Sequence, residues 1–339
     1  MRGPAQARID LGASPALRHW LRANAAFDAE YGDRLSNHLP MALMSLQRLG
    51  ADDARLHAYA RGYVSRLRPA PPDRGPADEE PVRPRWKALL GRQGTWPTWR
   101  RRFARWLQRD GSDAVLHAAL PRLLPGCAGA AFHGLIRTAY AVQAGDGQEL
   151  ADALAHWACV WQRLPTARAS AGRPTRDPAA LLRGLPRPSG PVPGALIADR
   201  VAVVAAHPGF AAAVAALQVD GRTLEGLARG AAELYARSGN FTVLHLLTSA
   251  HALRVLLPWA GAGEAAVRAY WPAFAAAWAA SGAGERGAVP LLPWGRITAA
   301  AIASDDDHRA KLVDSCLRQQ RAYGGAVWRA AASRAVAAA

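Results

Sequence analysis

The chain has 339 residues, half of them hydrophobic, with 42 basic against 26 acidic residues and a formal net charge of +16. This length allows one large domain or two, with a sizeable core, and the abundance of alanine favours helices over strands. The basic charge invites a nucleic-acid interpretation, but the arginines are spread along the chain and only residues 99–109 (WRRRFARWLQR) are dense. Nucleic-acid binding through that segment is therefore an alternative, and no nucleic-acid partner is expected.

Cysteine usage and hydropathy exclude further classes. Cys127, Cys159 and Cys316 lie far apart without CxxC spacing, which argues against a disulfide framework or a thiolate zinc site. The N-terminal residues lack the apolar segment of a secretory signal, and no uninterrupted apolar run reaches the roughly 18 residues of a spanning helix. The longest, residues 269–280, contains Pro272. We therefore expect a cytoplasmic protein without a membrane partner.

Helical periodicity and capping residues predict helices along almost the whole chain. The predicted helices cover residues 14–31, 33 or 36–50, 52–68, 86–124 (two or three helices), 127–144, 148–162, 178–185, 194–207, 208–217, 222–237, 240–257, 265–281 and a segment beginning at Asp305. Residues 69–84 and 165–193 are rich in proline and predict long surface loops or a lid. No stretch alternates with period two between hairpin turns. The sequence predicts an all-α multi-helix bundle forming one domain over residues 1–339.

The sequence does not satisfy two familiar cofactor-binding motifs. Gly282, Gly284 and Gly287 spell GxGxxG, but that fingerprint needs a preceding strand, and here a helix is predicted. No nucleotide-cofactor site is therefore predicted. A carboxylate-bridged di-iron bundle needs Glu-x-x-His pairs, and no glutamate has a histidine three residues later.

The remaining chemistry lies in the histidines. Five of the ten, at positions 19, 57, 117, 156 and 207, stand in amphipathic or loop contexts that favour surface or capping roles. The other five each interrupt an apolar or small-residue face: His38, His133, His245, His251 and His308. A lone buried histidine is usually a hydrogen-bonded core residue, but five would each need a separate polar partner. One metal ion could use several at once, and imidazole ligands suit Zn, Cu, Fe or Ni.

Lysine is rare in this chain. Of the 42 basic residues only Lys87 and Lys311 are lysine. Asp305–Asp307 can cap a helix on which His308 and Lys311, three residues apart, share one face. A lysine made neutral by burial could capture CO2 as a carbamate and offer an oxygen ligand, which favours iron. The alternative is that Lys311 is an ordinary surface residue.

Four blocks in the expected order resemble the questin oxidase-like family over about residues 24–316. They are Asn37-His38 with residues 41–43 and 49–51, residues 131–137 (AFHGLIR), residues 240–242 through 251–254, and residues 306–311 (DDHRAK). The resemblance implies an oxidoreductase, an oxygenase that uses O2 for Baeyer–Villiger-like oxidative cleavage of a polycyclic aromatic or quinone-type polyketide, such as an anthraquinone. NADPH is often invoked as its external reductant.

The resemblance also implies a mononuclear non-haem Fe(II) held by histidines and a modified lysine. Carried over residue by residue, the metal site comprises His38, His133, His245, His251, His308 and Lys311. O2 or substrate needs an open position, so we expect His245 or His251 to face the substrate instead. The alternative function is a non-catalytic helical binding protein for aromatic ligands.

Overall fold

A computed structural model describes residues 12–72, 89–167 and 173–337. Within these ranges the α-helices are α1 (Pro15–Asn24), α2 (Leu39–Leu49), α3 (Asp53–Val64), α4 (Trp96–Leu123), α5 (His133–Ala144), α6 (Gly147–Cys159), α7 (Pro178–Arg183), α8 (Ile197–Ala205), α9 (Phe210–Val214), α10 (Thr223–Ser238), α11 (Phe241–Leu256), α12 (Gly263–Ala280), α13 (Trp294–Ala303), α14 (Asp307–Tyr323) and α15 (Val327–Ala337). Short 3-10 helices cover Leu124–Gly126, Gly129–Phe132 and Leu257–Trp259. The prediction of an all-α fold is confirmed.

Parts of both predicted long loops lie outside the described residues. Residues 73–88 include most of the predicted loop at 69–84, together with Lys87. In the second loop, residues 168–172 are not described, and α7 supplies the short helix that the sequence predicts there.

A two-stranded hairpin replaces the end of the first predicted helix. Strands β1 (Glu30–Tyr31) and β2 (Leu35–Ser36) pair antiparallel, because the chain turns through positive φ at Gly32 and Arg34. The prediction of one helix over residues 14–31 is therefore wrong beyond the end of α1. The hairpin returns the chain to α1, where the Asn37 amide donates to Asn24 Oδ1 at 2.9 Å. His38 follows directly as the residue before α2.

Helix α11 is the central helix of the core. It packs against α5, α10, α12 and α14, and Asn240 caps it by accepting the backbone N–H groups of Thr242 and Val243. Residues Phe241–Trp259 are long and apolar enough to cross a membrane, but 72% of that stretch's most apolar window is buried inside the protein. A helix buried to this extent is typical of a protein core, where its apolar side chains pack against the neighbouring helices.

Close approach between α5 and α6 explains the small residues before and within α5. A Cβ atom on Gly134 would lie 2.5 Å from Trp157 Cβ and 2.6 Å from Trp157 Cα on α6. Only glycine fits there without displacing a backbone. The pair of helices is thus locked at the point where α5 begins.

The predicted helix over residues 127–144 is interrupted before His133. Ala130, Ala131 and Phe132 have φ values of 45°, 53° and 67°, which places three consecutive L-residues in the left-handed region. Each costs about 1–2 kcal/mol relative to right-handed backbone. His133 is consequently the first residue of α5 rather than the middle of a longer helix.

Candidate metal centre

Four histidines from distant parts of the chain meet inside the bundle. They precede α2 (His38), begin α5 (His133), and lie in the first turns of α11 (His245) and α14 (His308). Neighbouring ring centroids form a closed circuit: 4.4 Å from His38 to His133, 5.1 Å from His133 to His245, 5.5 Å from His245 to His308 and 4.8 Å from His308 to His38. The first three are buried, and the His308 side chain is 18% exposed. We call these four side chains the imidazole cluster.

Oxygen acceptors fix the orientation of three of these rings. The Nδ1 of His245 lies 2.8 Å from the carbonyl oxygen of Phe241. The Nδ1 of His133 is hydrogen-bonded to the Ala130 carbonyl, and the Nδ1 of His38 to the Asp307 carboxylate. A carbonyl or carboxylate oxygen can only accept, so each Nδ1 carries the hydrogen and each Nε2 is left with a lone pair. Histidines that bind a metal through one ring nitrogen typically donate the N–H of the other ring nitrogen to such an oxygen.

Two of those lone pairs face one another. The Nε2 atoms of His38 and His133 lie 2.6 Å apart, a distance at which two lone pairs repel unless a cation neutralises them. A proton is disfavoured, because burial lowers the pKa of both rings, that of His38 to about 3. Two nitrogens bound at right angles to one ion would lie about 2.9 Å apart, from metal–nitrogen distances of about 2.0–2.1 Å. The donor set therefore fits a metal ion.

Three members of the cluster have ligand atoms close enough together to hold such an ion. Ligand atoms of His38, His133 and His308 all lie within 4.8 Å of one another. Burial also lowers the pKa of His245 and His308, so that neutral rings with available lone pairs are favoured at neutral pH. Neutral imidazole is the form that binds metal.

Asp307, for which the sequence pattern predicts only a capping role, contacts the imidazole cluster. Capping is done by Asp306, whose Oδ1 accepts the His308 backbone N–H at 2.9 Å. Asp307 Oδ2 instead binds His38 Nδ1 and lies 3.4 Å from His308 Nδ1 and 3.5 Å from Lys311 Nζ. Burial raises the pKa of Asp307, but its interactions with His38, including their hydrogen bond, and with the charge of Lys311 hold that pKa well below its usual value. The carboxylate is thus ionised and orients the cluster.

Lys311 lies one turn after Asp307 on α14 and is 3% exposed. The alternative that it is a surface residue is therefore wrong. Burial lowers the pKa of its amine, and the charge of Asp307 opposes that shift. A lowered pKa makes the neutral amine, which is the form that reacts with CO2, more accessible. Its role as a ligand stays a prediction.

His251 lies on α11 with the cluster's His245 but belongs to different surroundings. Its Nδ1 faces the Arg254 guanidinium at 3.3 Å. Burial and the charges of Arg254, Arg318 and Arg48 lower its pKa. No ring contact in the described part of the chain joins it to the cluster. Of the two histidines of α11, only His245 is in ring contact with the cluster in the described part of the chain, and the assignment of either as a ligand stays a prediction.

One histidine assigned to the surface is buried. His156 on α6 is 1% exposed, and its Nε2 lies 3.5 Å from Glu30 Oε1. The amphipathic pattern of α6 did not predict this, because α4 and α5 both pack against the helix. The surface assignment of His156 is wrong.

Comparison with known proteins adds a family to this geometry. A family model described as Questin oxidase-like matches residues 35–316. The matched range contains the whole imidazole cluster, Asp307 and Lys311. A search of curated proteins finds no match.

Proposed function

Because the chain belongs to the questin oxidase-like family, we propose that it is a non-haem iron-dependent oxygenase that cleaves a ring of a polycyclic aromatic or quinone-type polyketide with O2. The observation that carries the metal part of this proposal is the convergence of the His38 and His133 Nε2 lone pairs at 2.6 Å. Family membership supports a small-molecule substrate and O2 chemistry in general.

The imidazole cluster would hold the iron, with Lys311 as a carbamate supplying an oxygen ligand. Bound Fe(II) would supply the one-electron chemistry that spin-paired organic substrates cannot carry out with O2 alone. The choice of iron rests on the mixed nitrogen and oxygen donor set. The protein's own contribution is to orient each ring through its Nδ1 acceptor and to exclude water from the buried side of the site.

Charge supports the carbamate. With an ammonium on Lys311 and a carboxylate on Asp307, 3.5 Å apart, the metal-free site is neutral. Carbamate formation takes up one CO2 and releases two protons, which changes the charge of the lysine from +1 to −1. Carbamate, Asp307 and a divalent ion again sum to zero. Since a buried net charge is costly, carbamylation and metal binding should occur together.

The overall reaction would insert one oxygen atom of O2 between a ring carbonyl carbon and the adjacent ring carbon, and release the other oxygen atom as water. One water molecule would then hydrolyse the resulting cyclic ester and so open the ring. The oxygen insertion requires two electrons and two protons, which NADPH and one proton can supply. The GxGxxG residues 282–287 follow helix α12 rather than a strand, which does not suit a dinucleotide, so we propose that NADPH acts through an external reductase. The single-domain organisation over residues 1–339 remains part of this proposal.

Metal analysis of the protein purified without oxygen tests the proposal. We expect about one iron per chain in excess of zinc, copper and nickel, and O2 consumption on addition of a hydroxyanthraquinone with NADPH and a reductase. Protein that carries no transition metal would overturn the proposal. Binding of the anthraquinone that survives chelation, without O2 consumption, would favour the non-catalytic aromatic-ligand binding protein.

A further inference from the structure

An exposed aromatic ring stands at the edge of the imidazole cluster. Among the described residues, the large hydrophobic side chains with high exposure are Leu35, Phe241 and Leu291, and Phe241 is 52% exposed. Such a ring in water is unfavourable unless something covers it. Phe241 is the first residue of α11, and no aromatic partner other than histidine contacts it in the described structure.

The ring of Phe241 contacts two members of the cluster. Its centroid lies 4.8 Å from that of His245 at an interplanar angle of 76°, and 4.7 Å from that of His308 at 67°. The His308 side chain is itself 18% exposed, whereas the other three histidines are buried. Phe241 therefore marks the side on which the cluster meets solvent.

The backbone beneath this ring is held firmly. The Asn240 side chain caps α11 and donates to the Ser281 carbonyl at 2.9 Å. The Phe241 carbonyl accepts from His245 Nδ1. The position of the ring is thus tied to the orientation of a cluster histidine, so that an aromatic group resting on it would be set at a fixed place relative to the imidazoles.

We propose that Phe241 is a substrate-contacting residue whose exposed face receives a planar aromatic ring at the mouth of the imidazole cluster. The identification of that ring as the substrate rests on the proposed function. Offset or edge-to-face aromatic pairs with centroids about 4.5–7 Å apart are favourable, and the contacts of Phe241 with two imidazoles leave half of its surface free for one. The assignment makes Phe241 a determinant of specificity for flat ring systems.

Binding of 1,8-dihydroxyanthraquinone, followed by quenching of tryptophan fluorescence in the protein as isolated, tests this. Phe241→Ala should raise the dissociation constant about tenfold, the upper range for one aromatic contact. Phe241→Trp keeps an aromatic ring and should have the dissociation constant of the wild type. Leu291→Ala is the matched control, because Leu291 has nearly the same exposure, 50%. Its dissociation constant should equal that of the wild type.

Equal affinity of wild type and Phe241→Ala, or an equal loss in Leu291→Ala, would overturn the assignment. Phe241→Leu serves as the second variant should the alanine variant not fold, and it should lose the same aromatic contact while keeping an apolar side chain. The measurement needs neither iron nor turnover. A protein that binds the anthraquinone through Phe241 but holds no iron would therefore refute the proposed function and retain this inference.

Discussion

Replacement of Lys311 by methionine distinguishes a carbamate from an ammonium by the sign of its effect. The amine is buried and lies 3.5 Å from Asp307 Oδ2. Methionine is neutral and of similar length. If Lys311 is a carbamate in the metal-bound protein, Lys311→Met removes a negative charge and an oxygen ligand. If it is an ammonium, the same change removes a positive charge that repels the ion.

The size of the effect follows from Coulomb's law. Two unit charges about 4 Å apart contribute about 4 kcal/mol at an effective dielectric constant of about 20, which is about a thousandfold in a dissociation constant. With a carbamate, Lys311→Met should therefore weaken Fe(II) binding by at least about a thousandfold. Lys311→Arg, which stays charged and cannot form a carbamate, should weaken it further. If Lys311 is instead an ammonium, Lys311→Met should tighten Fe(II) binding, and Lys311→Arg should leave it nearly unchanged.

Competition against a chromophoric chelator, without oxygen and with added bicarbonate, measures these dissociation constants. Far-UV circular dichroism should show an unchanged helix content, since Asp306 caps α14 independently of Lys311. Lys87→Arg, at a position outside the described residues, is the control and should leave the Fe(II) dissociation constant unchanged. Fe(II) binding by Lys311→Met that equals or exceeds that of the wild type would refute the carbamate.

Asp307→Asn should weaken metal binding about 10- to 100-fold, because it removes the carboxylate that orients His38. Asp306→Asn keeps a capping side chain and should leave metal binding unchanged. Equal dissociation constants for the two variants in the chelator competition would contradict this prediction. Gly134→Ala should lower the free energy of unfolding by about 1–3 kcal/mol, because its Cβ would meet the neighbouring helix. Gly230→Ala, whose Cβ would have its nearest neighbours at 3.9 Å, should raise it by about 0.5–1 kcal/mol, and urea denaturation curves that show the same sign for both would refute the packing argument. In chelator-treated protein, each cluster histidine has a lower pKa in the folded state, about 3 for His38, than its value of 6.5 in the unfolded state. Its contribution to stability is complete above pH 6.5 and is lost as the pH falls from 6.5 toward the folded-state pKa. The free energy of unfolding should therefore fall with a slope of up to about 1.4 kcal/mol per pH unit per histidine, and an unchanged urea midpoint between about pH 7.5 and about pH 5.5 would contradict this.

The sequence was informative where a side chain's character conflicted with the face on which it lay. His133 and His245 interrupt small or apolar faces, and the structure buries both. Lys311 was conspicuous by composition alone. Helix starts were also predictable where a capping side chain determines them, as Asn240 does for α11 and Asp306 does for α14.

What the sequence could not predict depends on neighbouring helices. Alanine is the best helix former, so residues 130–132 read as part of a helix, and only the packing of α5 on α6 makes a left-handed turn acceptable there. His156 was assigned to the surface because a single helix pattern does not show how many other helices cover it. His245 and His251 are six positions apart, which places them about 120° apart around α11, and only the fold shows that His245 faces the cluster and His251 the arginines.

The left-handed turn before α5 sets the orientation of His133 in the cluster. Ala130 holds the Nδ1 of His133 with its carbonyl, and that carbonyl can point back at the ring because residues 130–132 depart from right-handed backbone. At about 1–2 kcal/mol for each of three residues, such a turn persists only if packing elsewhere over-determines it, and the contact of Gly134 with Trp157 supplies that packing. Helix–helix packing therefore fixes the ring of His133 independently of any ion, and a metal that binds the cluster would enter a site already built by the fold.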